Sequence, residues 1–284
     1  MNRALRWGLL LALVLGATRA RAVQPGTRHA LDPRATGLLV EDVRFPSARD
    51  SVPLNGWWFA GRPNMPVLVL CPHGTGTMAD LVPSVVEWSR RGFGVLTFDL
   101  RDFGPDSPGA VDSLKDVVFA SRWVDDTEGA LAYARTRAGG QPVFAWGQDL
   151  GGPLALAAAG RRQRNADGIA VEGLFRTAQE QLLWLGMSQD PEVVRRHRVL
   201  VDGSDDPAAV MSRLRTPLFV VIAMKDEVTP PDVTKRLVLE CGWATQTWVL
   251  PAAGHEGAER TPGYYDRLAD WFNRTAMIAR RTRR

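Results

Sequence analysis

Pro142-Val143-Phe144-Ala145-Trp146-Gly147-Gln148-Asp149-Leu150-Gly151-Gly152-Pro153 decides how this chain of 284 residues is read. A short apolar run ends in a glycine, a glycine pair follows after three residues, and an alanine-rich stretch continues to Gly160. The pattern reads as a strand, a sharp turn and a helix. Small residues two before and two after the central position let the backbone turn tightly. The turn then holds one side chain, strained and exposed, at the helix N-terminus, in the arrangement usually written G-x-S-x-G. Here that side chain is Asp149 in place of serine. Function therefore hinges on whether the carboxylate is a different nucleophile or a replacement that disables the site.

Outward from this turn, apolar runs at residues 66–71, 94–100, 142–146, 217–224 and 245–250 predict strands, with two more at residues 38–45 and 52–60 around a turn at residues 47–50. Between them, helical patterns cover residues 79–91, 114–137, 151–161, 231–241 and 263–277. In the second, Val117, Ala120, Val124, Ala130, Leu131 and Ala134 recur at helical spacing, so one face should lie on a sheet. Strands apolar on both faces and alternating with helices imply an α/β fold: a mostly parallel central sheet with helices on both faces and an antiparallel opening pair at one edge. From about residue 171 to 214 the pattern loosens into helical pieces at 177–186, 192–201 and 207–214. This segment is expected to form a small cap over the carboxyl ends of the strands, where ligands enter such sheets.

Composition narrows the function classes. A hydrophobic content of 45% with 23% charged residues fits a folded domain and gives no reason to expect disorder. Arg3 and Arg6 precede an apolar run from Trp7 to Gly16, and Ala20-Arg21-Ala22 offers a cleavage site, so residues 1–22 read as a secretory signal. The run is shorter than the ~20 apolar residues a spanning helix needs, so export to the periplasm or exterior without stable membrane insertion is expected. The formal charge of +4 argues for no nucleic-acid role, because removing this segment takes away four arginines and no acid. The basic end Arg280-Arg281-Thr282-Arg283-Arg284 reads as a solvated, frayed terminus. Cys71 and Cys241 read as two separate buried thiols. Four histidines and two cysteines show no ligand spacing, so neither a metal nor a cofactor is expected.

Further motifs stand after other predicted strands, in a telling order. His73-Gly74 follows the third strand. Asp99-Leu100-Arg101-Asp102-Phe103-Gly104-Pro105-Asp106-Ser107 follows the fourth, close to D-x-R-G-x-G-x-S with Asp102 in a glycine's place. The 147–152 turn follows the fifth, Lys225-Asp226-Glu227-Val228-Thr229-Pro230 a later one, and Leu250-Pro251-Ala252-Ala253-Gly254-His255 the last. On these motifs the chain resembles the α/β-hydrolase superfamily from about residue 38 onward, in the family's order of nucleophile, acid and histidine. The resemblance implies a triad of Asp149, Asp226 and His255, with His255 as general base and Asp226 fixing its tautomer. It also implies an oxyanion hole from the backbone N–H groups of Leu150 and Thr75, and a substrate path beside His73 and Gly74.

The elbow aspartate leaves three outcomes open. In the first it attacks an sp3 carbon and forms an ester that water hydrolyses, as in the epoxide hydrolases and haloalkane dehalogenases of this superfamily. Their elbows usually read D-W, whereas this chain has Leu150, and Tyr133, Tyr264 and Tyr265 all fall outside the expected cap. In the second, slow acyl-transfer chemistry survives with His255 activating water, which suits the overall likeness to serine esterases and acyl-peptidases. In the third, the exported fold serves as a non-catalytic binding or scaffold protein for a ligand or partner. Trp57, Trp58 and Trp146 read as core residues, Trp184 as part of a pocket wall in the cap, and His29 and His197 as solvated or structural. Arg195-Arg196-His197-Arg198 reads as a charged helix face.

Overall fold

Every side chain of Val67–Cys71, Gly94–Phe98 and Val143–Gly147 is buried, the environment of a parallel strand covered on both faces. The structure, a computed structural model, describes residues 23–106, 114, 116–161, 165–241, 243 and 245–282. The expected signal at residues 1–22, Ser107 of the fourth-strand motif and Arg283 and Arg284 lie outside the described residues.

Eight strands make the main sheet: β1 (Glu41–Pro46), β2 (Pro53–Phe59), β3 (Val67–Cys71), β4 (Gly94–Phe98), β5 (Val143–Gly147), β6 (Gly168–Glu172), β7 (Leu218–Lys225) and β8 (Thr245–Gly254). Their spatial order is β1-β2-β4-β3-β5-β6-β7-β8. The opening pair is antiparallel and at an edge, β2 also runs antiparallel to β4, and the remaining pairings are parallel. The helices are α1 (Val82–Arg90), α2 (Ser121–Arg137), α3 (Gly151–Arg161), α4 (Ala178–Trp184), α5 (Pro191–Leu200), α6 (Pro207–Arg213), α7 (Pro231–Glu240) and α8 (Tyr264–Thr282). Strand alternation divides the core in two. Val67, Val69, Val143 and Ala145 join residues of α2, α3, α6 and α7 on one face, while Leu68, Leu70, Phe144 and Trp146 join Trp88 of α1 and Trp271 and Phe272 of α8 on the other.

The differences from the sequence reading are local. β6 was not anticipated: it is five residues long and contains glycine and alanine, so it carries little strand signal of its own. Val171 and Glu172 therefore belong to the sheet, α4 and α5 follow as the cap, and α6 packs on α3 and α7 beside the sheet rather than over it. α2 starts at Ser121 rather than near residue 114, because Ala120 is extended at φ −147°. Residues 117–120 keep their burial outside any helix, and Val118 among them lines the pocket at the elbow. Asp102, in a glycine's place, accepts from Trp123 Nε1 at 2.8 Å and pairs with Arg122 at 2.8 Å. Arg280 is not frayed, since it donates to Asn64 O and Gln141 Oε1. Both cysteines are free; Cys71 is buried and Cys241 only partly so. Trp57, Trp58 and Trp146 are core residues, as expected.

Candidate active site

The elbow forms where β5 hands over to α3. Asp149 sits at φ +50°, a left-handed conformation that aspartate tolerates better than most residues. The turn is tight enough to need its glycines: a Cβ on Gly147 would fall 2.0 Å from Gly151 O, and one on Gly151 would fall 2.6 Å from Cys71 O. The side chain this turn presents is 35% exposed and faces a pocket of about 30 Å³, room for little more than a water or two.

Three loops from distant parts of the chain converge there. Asp149 Oδ1 lies 3.3 Å from His255 Nε2, and His255 Nδ1 lies 3.1 Å from both oxygens of Asp226. Asp226 is held in turn, accepting from Val228 N and Thr229 N at 2.8 Å each and from Thr229 Oγ1 at 2.6 Å. With both Asp226 oxygens engaged at Nδ1, the imidazole presents Nε2 to Asp149. The other elbow oxygen, Asp149 Oδ2, accepts from Gly74 N at 3.3 Å. The residue of this loop that donates to Asp149 is thus Gly74, one before the expected Thr75; Thr75 and Leu150 line the pocket. The close approach explains the glycine, since a Cβ there would lie 3.2 Å from Asp149 Oδ2 and 3.4 Å from Leu150 Cβ.

Charge follows geometry. Burial disfavours charged His255, yet the hydrogen bonds and charges of Asp149 and Asp226 outweigh it and push its pKa up to about 10. Burial alone would raise the Asp149 pKa; contact with His255, the charge of His73 and the Gly74 N–H together hold it below the ordinary value. The balance therefore favours an imidazolium facing the Asp149 carboxylate. Such an arrangement offers a carboxylate nucleophile, a proton donor at Nε2, and a backbone donor aimed at one carboxylate oxygen.

The pocket is walled by Val23, Val118, Leu150, Phe175, Leu185 and Val228, with polar groups from Thr75, Gln181 and Thr229. Trp184 is not among its lining residues: the side chain is 58% exposed and Nε1 donates to Glu227 O at 2.9 Å. Together with Gln181 Nε2, which donates to Val228 O at 3.0 Å, it fastens the cap to the acid loop. His197 is buried and structural, accepting from Val118 N through Nε2 and bonded to Val193 O through Nδ1, both at 3.0 Å. Burial, with the charge of Arg196, lowers its pKa. Tyr264 and Tyr265 stand at the start of α8, outside the cap as the sequence suggested, and are not among the pocket's lining residues.

A second set of residues lies behind the elbow and was missed because its key strand, β6, was missed. Gln148 Nε2 donates to Glu172 Oε2 at 3.2 Å and approaches Glu259 Oε2 at 3.5 Å, and Tyr264 OH donates to Glu172 Oε2 at 3.3 Å. Burial, with the charges of Glu259 and Asp226, raises the Glu172 pKa to about 8 against the hydrogen bonds of Gln148 and Tyr264. A buried, neutral carboxylic acid thus backs the residue next to Asp149. Among the described residues no group of three or more His, Cys, Asp or Glu is placed to hold a metal ion, and no helix is long and apolar enough to cross a membrane.

Comparison with known proteins agrees with this fold. The family model described as alpha/beta hydrolase fold matches residues 67–186. An uncharacterized protein of Mycobacterium tuberculosis is 23% identical over 240 residues, covering 81% of this chain and 78% of its own. An uncharacterized membrane protein of Saccharomyces cerevisiae is 21% identical over 260 residues, covering 89% and 87%. Among solved structures, the esterase Pf2001 of Pyrococcus furiosus superposes with a TM-score of 0.69 at 16% identity, over 88% of this chain and 98% of that one. The acylaminoacyl peptidase of Pyrococcus horikoshii gives 0.64 at 14%, over 84% of this chain and 42% of the larger enzyme. Those two likenesses concern the fold. With that fold over most of its length, and a family match that runs through the elbow itself, the chain has the α/β-hydrolase fold.

Proposed function

We propose that the chain is a hydrolase that opens a carbon–oxygen bond at an sp3 carbon of a small organic molecule, a terminal epoxide in the simplest case, through an ester formed on Asp149. One observation carries the reading: the two oxygens of Asp149 face different partners, Oδ1 the His255 imidazole and Oδ2 the Gly74 N–H. Asp149 attacks the epoxide carbon, the C–O bond breaks, and the alkoxide takes the proton from His255 Nε2. Esterification removes the charge on Asp149, so His255 loses one of the two carboxylates that hold its proton. The neutral imidazole then accepts a proton from water attacking the ester carbonyl carbon. The oxyanion forms on the oxygen already facing Gly74 N–H. Collapse expels the diol oxygen, which takes the remaining proton from the new carboxyl group, and the carboxylate–imidazolium pair is restored.

The charge state favours an oxygen leaving group. A halide needs hydrogen-bond donors but no proton, and the tryptophan that would follow an elbow aspartate is replaced by Leu150. An ester substrate would require the carboxylate to form an anhydride, with its charge opposing the oxyanion. As part of the same reading, residues 1–22 direct export and are removed; a mature N-terminus at Val23 is the expected product in an export-competent host, and a retained signal would overturn that part.

The test is single turnover of 1,2-epoxypropane in heavy-oxygen water. Label in the Asp149 carboxylate, with unlabelled oxygen delivered to the diol, is the expected result. Label in the diol alone would mean direct attack by water. No reaction with 1,2-epoxypropane, 1-bromopropane or p-nitrophenyl acetate would favour the second reading, a non-catalytic binding protein, for which the pocket's small volume of about 30 Å³ is the supporting observation.

A further inference from the structure

The walls of the Asp149 pocket come from the elbow, the Gly74 loop, the segment before α2, the acid loop, the residues after β6 and the cap, and one more comes from further away. Val23 reaches it from the N-terminal lead, is 6% exposed, and lines the pocket together with Asp149, Gly74 and Leu150. The segment carrying it is bonded at successive points. Val23 N donates to Val117 O at 3.0 Å, Gln24 N to Gly74 O at 2.7 Å, Gly26 N to Gly76 O at 2.7 Å, and Gly104 N to Gly26 O at 2.8 Å. Gln24 and Pro25 pair in parallel with Thr75 and Gly76, so the segment is a two-residue strand added to the loop that faces Asp149. At Gly26 the approach leaves no room for a side chain, since a Cβ would lie 2.8 Å from Thr77 Cγ2 and 2.9 Å from Gly76 C. Three residues further on, His29 Nε2 bonds Asp99 Oδ2 at 2.7 Å, and its ring meets Trp57 edge to face. A branched side chain held by this many anchors is a fixed wall.

We propose that Val23 sets the size of molecule the Asp149 pocket accepts, and that the pocket takes short, uncharged, apolar substrates; this rests on the hydrolase reading above for its chemistry. The remaining walls, Val118, Leu150, Phe175, Leu185 and Val228, are apolar, and the two carboxylates of the triad repel an anionic substrate. Of the enclosing groups, Val23 stands in the N-terminal lead, just before the two-residue strand Gln24–Pro25, so changing it alters the pocket without disturbing the main sheet or the triad.

The experiment uses the full chain and two readouts. Binding of unreactive 1-hexanol, followed by tryptophan fluorescence, reports space independently of chemistry. The ratio of kcat/KM for 1,2-epoxyhexane over 1,2-epoxypropane reports selectivity. The wild-type pocket, at about 30 Å³, should show no saturable 1-hexanol binding; Val23→Ala should give measurable 1-hexanol binding and raise the ratio by about tenfold, the equivalent of roughly two buried methylene groups. Val23→Met should weaken binding of the short alcohol 1-propanol. Gain of 1-hexanol binding in Val23→Ala with no turnover of either epoxide would keep the size limit and remove the chemistry. Turnover with both the hexanol binding and the epoxide ratio unchanged in Val23→Ala would overturn the proposal and leave the chemistry standing.

Discussion

His255 Nε2 stands 3.3 Å from Asp149 Oδ1, so the side chain at the elbow and the imidazole behind it set each other's charge. Replacing Asp149 by Asn removes one of the two carboxylates that push the His255 pKa up to about 10. The pKa in Asp149→Asn should fall by about one to two units, read from the pH titration of the imidazole carbon signals by NMR. The stability sign follows. A raised histidine pKa contributes stability in full below the unfolded value of about 6.5 and loses it as pH rises through about 10. The variant should lose less stability than wild type across that window. An unchanged His255 titration would mean that the two groups are not coupled.

His255→Ala should separate the two halves of the reaction. Without the imidazole, water attack on the ester loses its base, so turnover should drop by on the order of 10²–10⁴-fold. An adduct of 1,2-epoxypropane should then accumulate on the Asp149 peptide. Intact-mass and peptide mass spectrometry check this, and turnover at the wild-type rate would remove His255 from the reaction.

His197 ties the cap to the pocket wall through Val118, and its Nε2 must be unprotonated to accept that N–H. Its folded pKa is lowered by burial, with Arg196 opposing and Asp116 favouring the charged form. Stability should therefore be full above pH ~6.5 and decline as pH falls below it, because the unfolded chain takes up the proton first. His197→Ala leaves the buried Val118 N–H without this acceptor and should cost about 1–3 kcal/mol in urea unfolding at pH 7.5. His197→Gln, which does not titrate, should flatten the acid side of the profile.

Glu172 is 3% exposed and carries its proton up to a pKa of about 8, against 4.5 unfolded. Between those values the native state holds a proton that the unfolded chain has lost, so this residue makes stability fall as pH rises from ~4.5 to ~8. Glu172→Gln keeps the shape and a hydrogen-bonding amide and should remove that slope. Denaturant midpoints at pH 5 and pH 8 give the comparison; an unaltered slope would locate the pH dependence elsewhere.

The elbow was legible because its signal is local: glycines at 147, 151 and 152 around one exposed position, after an apolar run. The alternation of strands and helices was legible for the same reason, since burial on both faces leaves continuous apolar runs in β3, β4 and β5. β6 escaped because a five-residue strand containing glycine and alanine gains its stability from β5 and β7, not from its own propensity. With it escaped Glu172, whose altered titration depends on partners 24, 87 and 92 positions away in the chain. Residues 117–120 misled in the opposite direction: their helical spacing is real burial, but it lies before α2, which starts at Ser121 after an extended Ala120.

What the sequence determined by itself was the fold and the identity of Asp149, Asp226 and His255 as the residues to watch, because periodicity and motif order are properties of neighbouring residues. The tertiary structure decided what surrounds them. It set the Gly74 N–H against the elbow carboxylate, turned Trp184 outward to grip the acid loop, buried His197, and brought Val23 to the pocket. Each of those outcomes depends on the distance between segments remote in the chain, fixed only when the sheet closes and the loops at its carboxyl end compete for the same space.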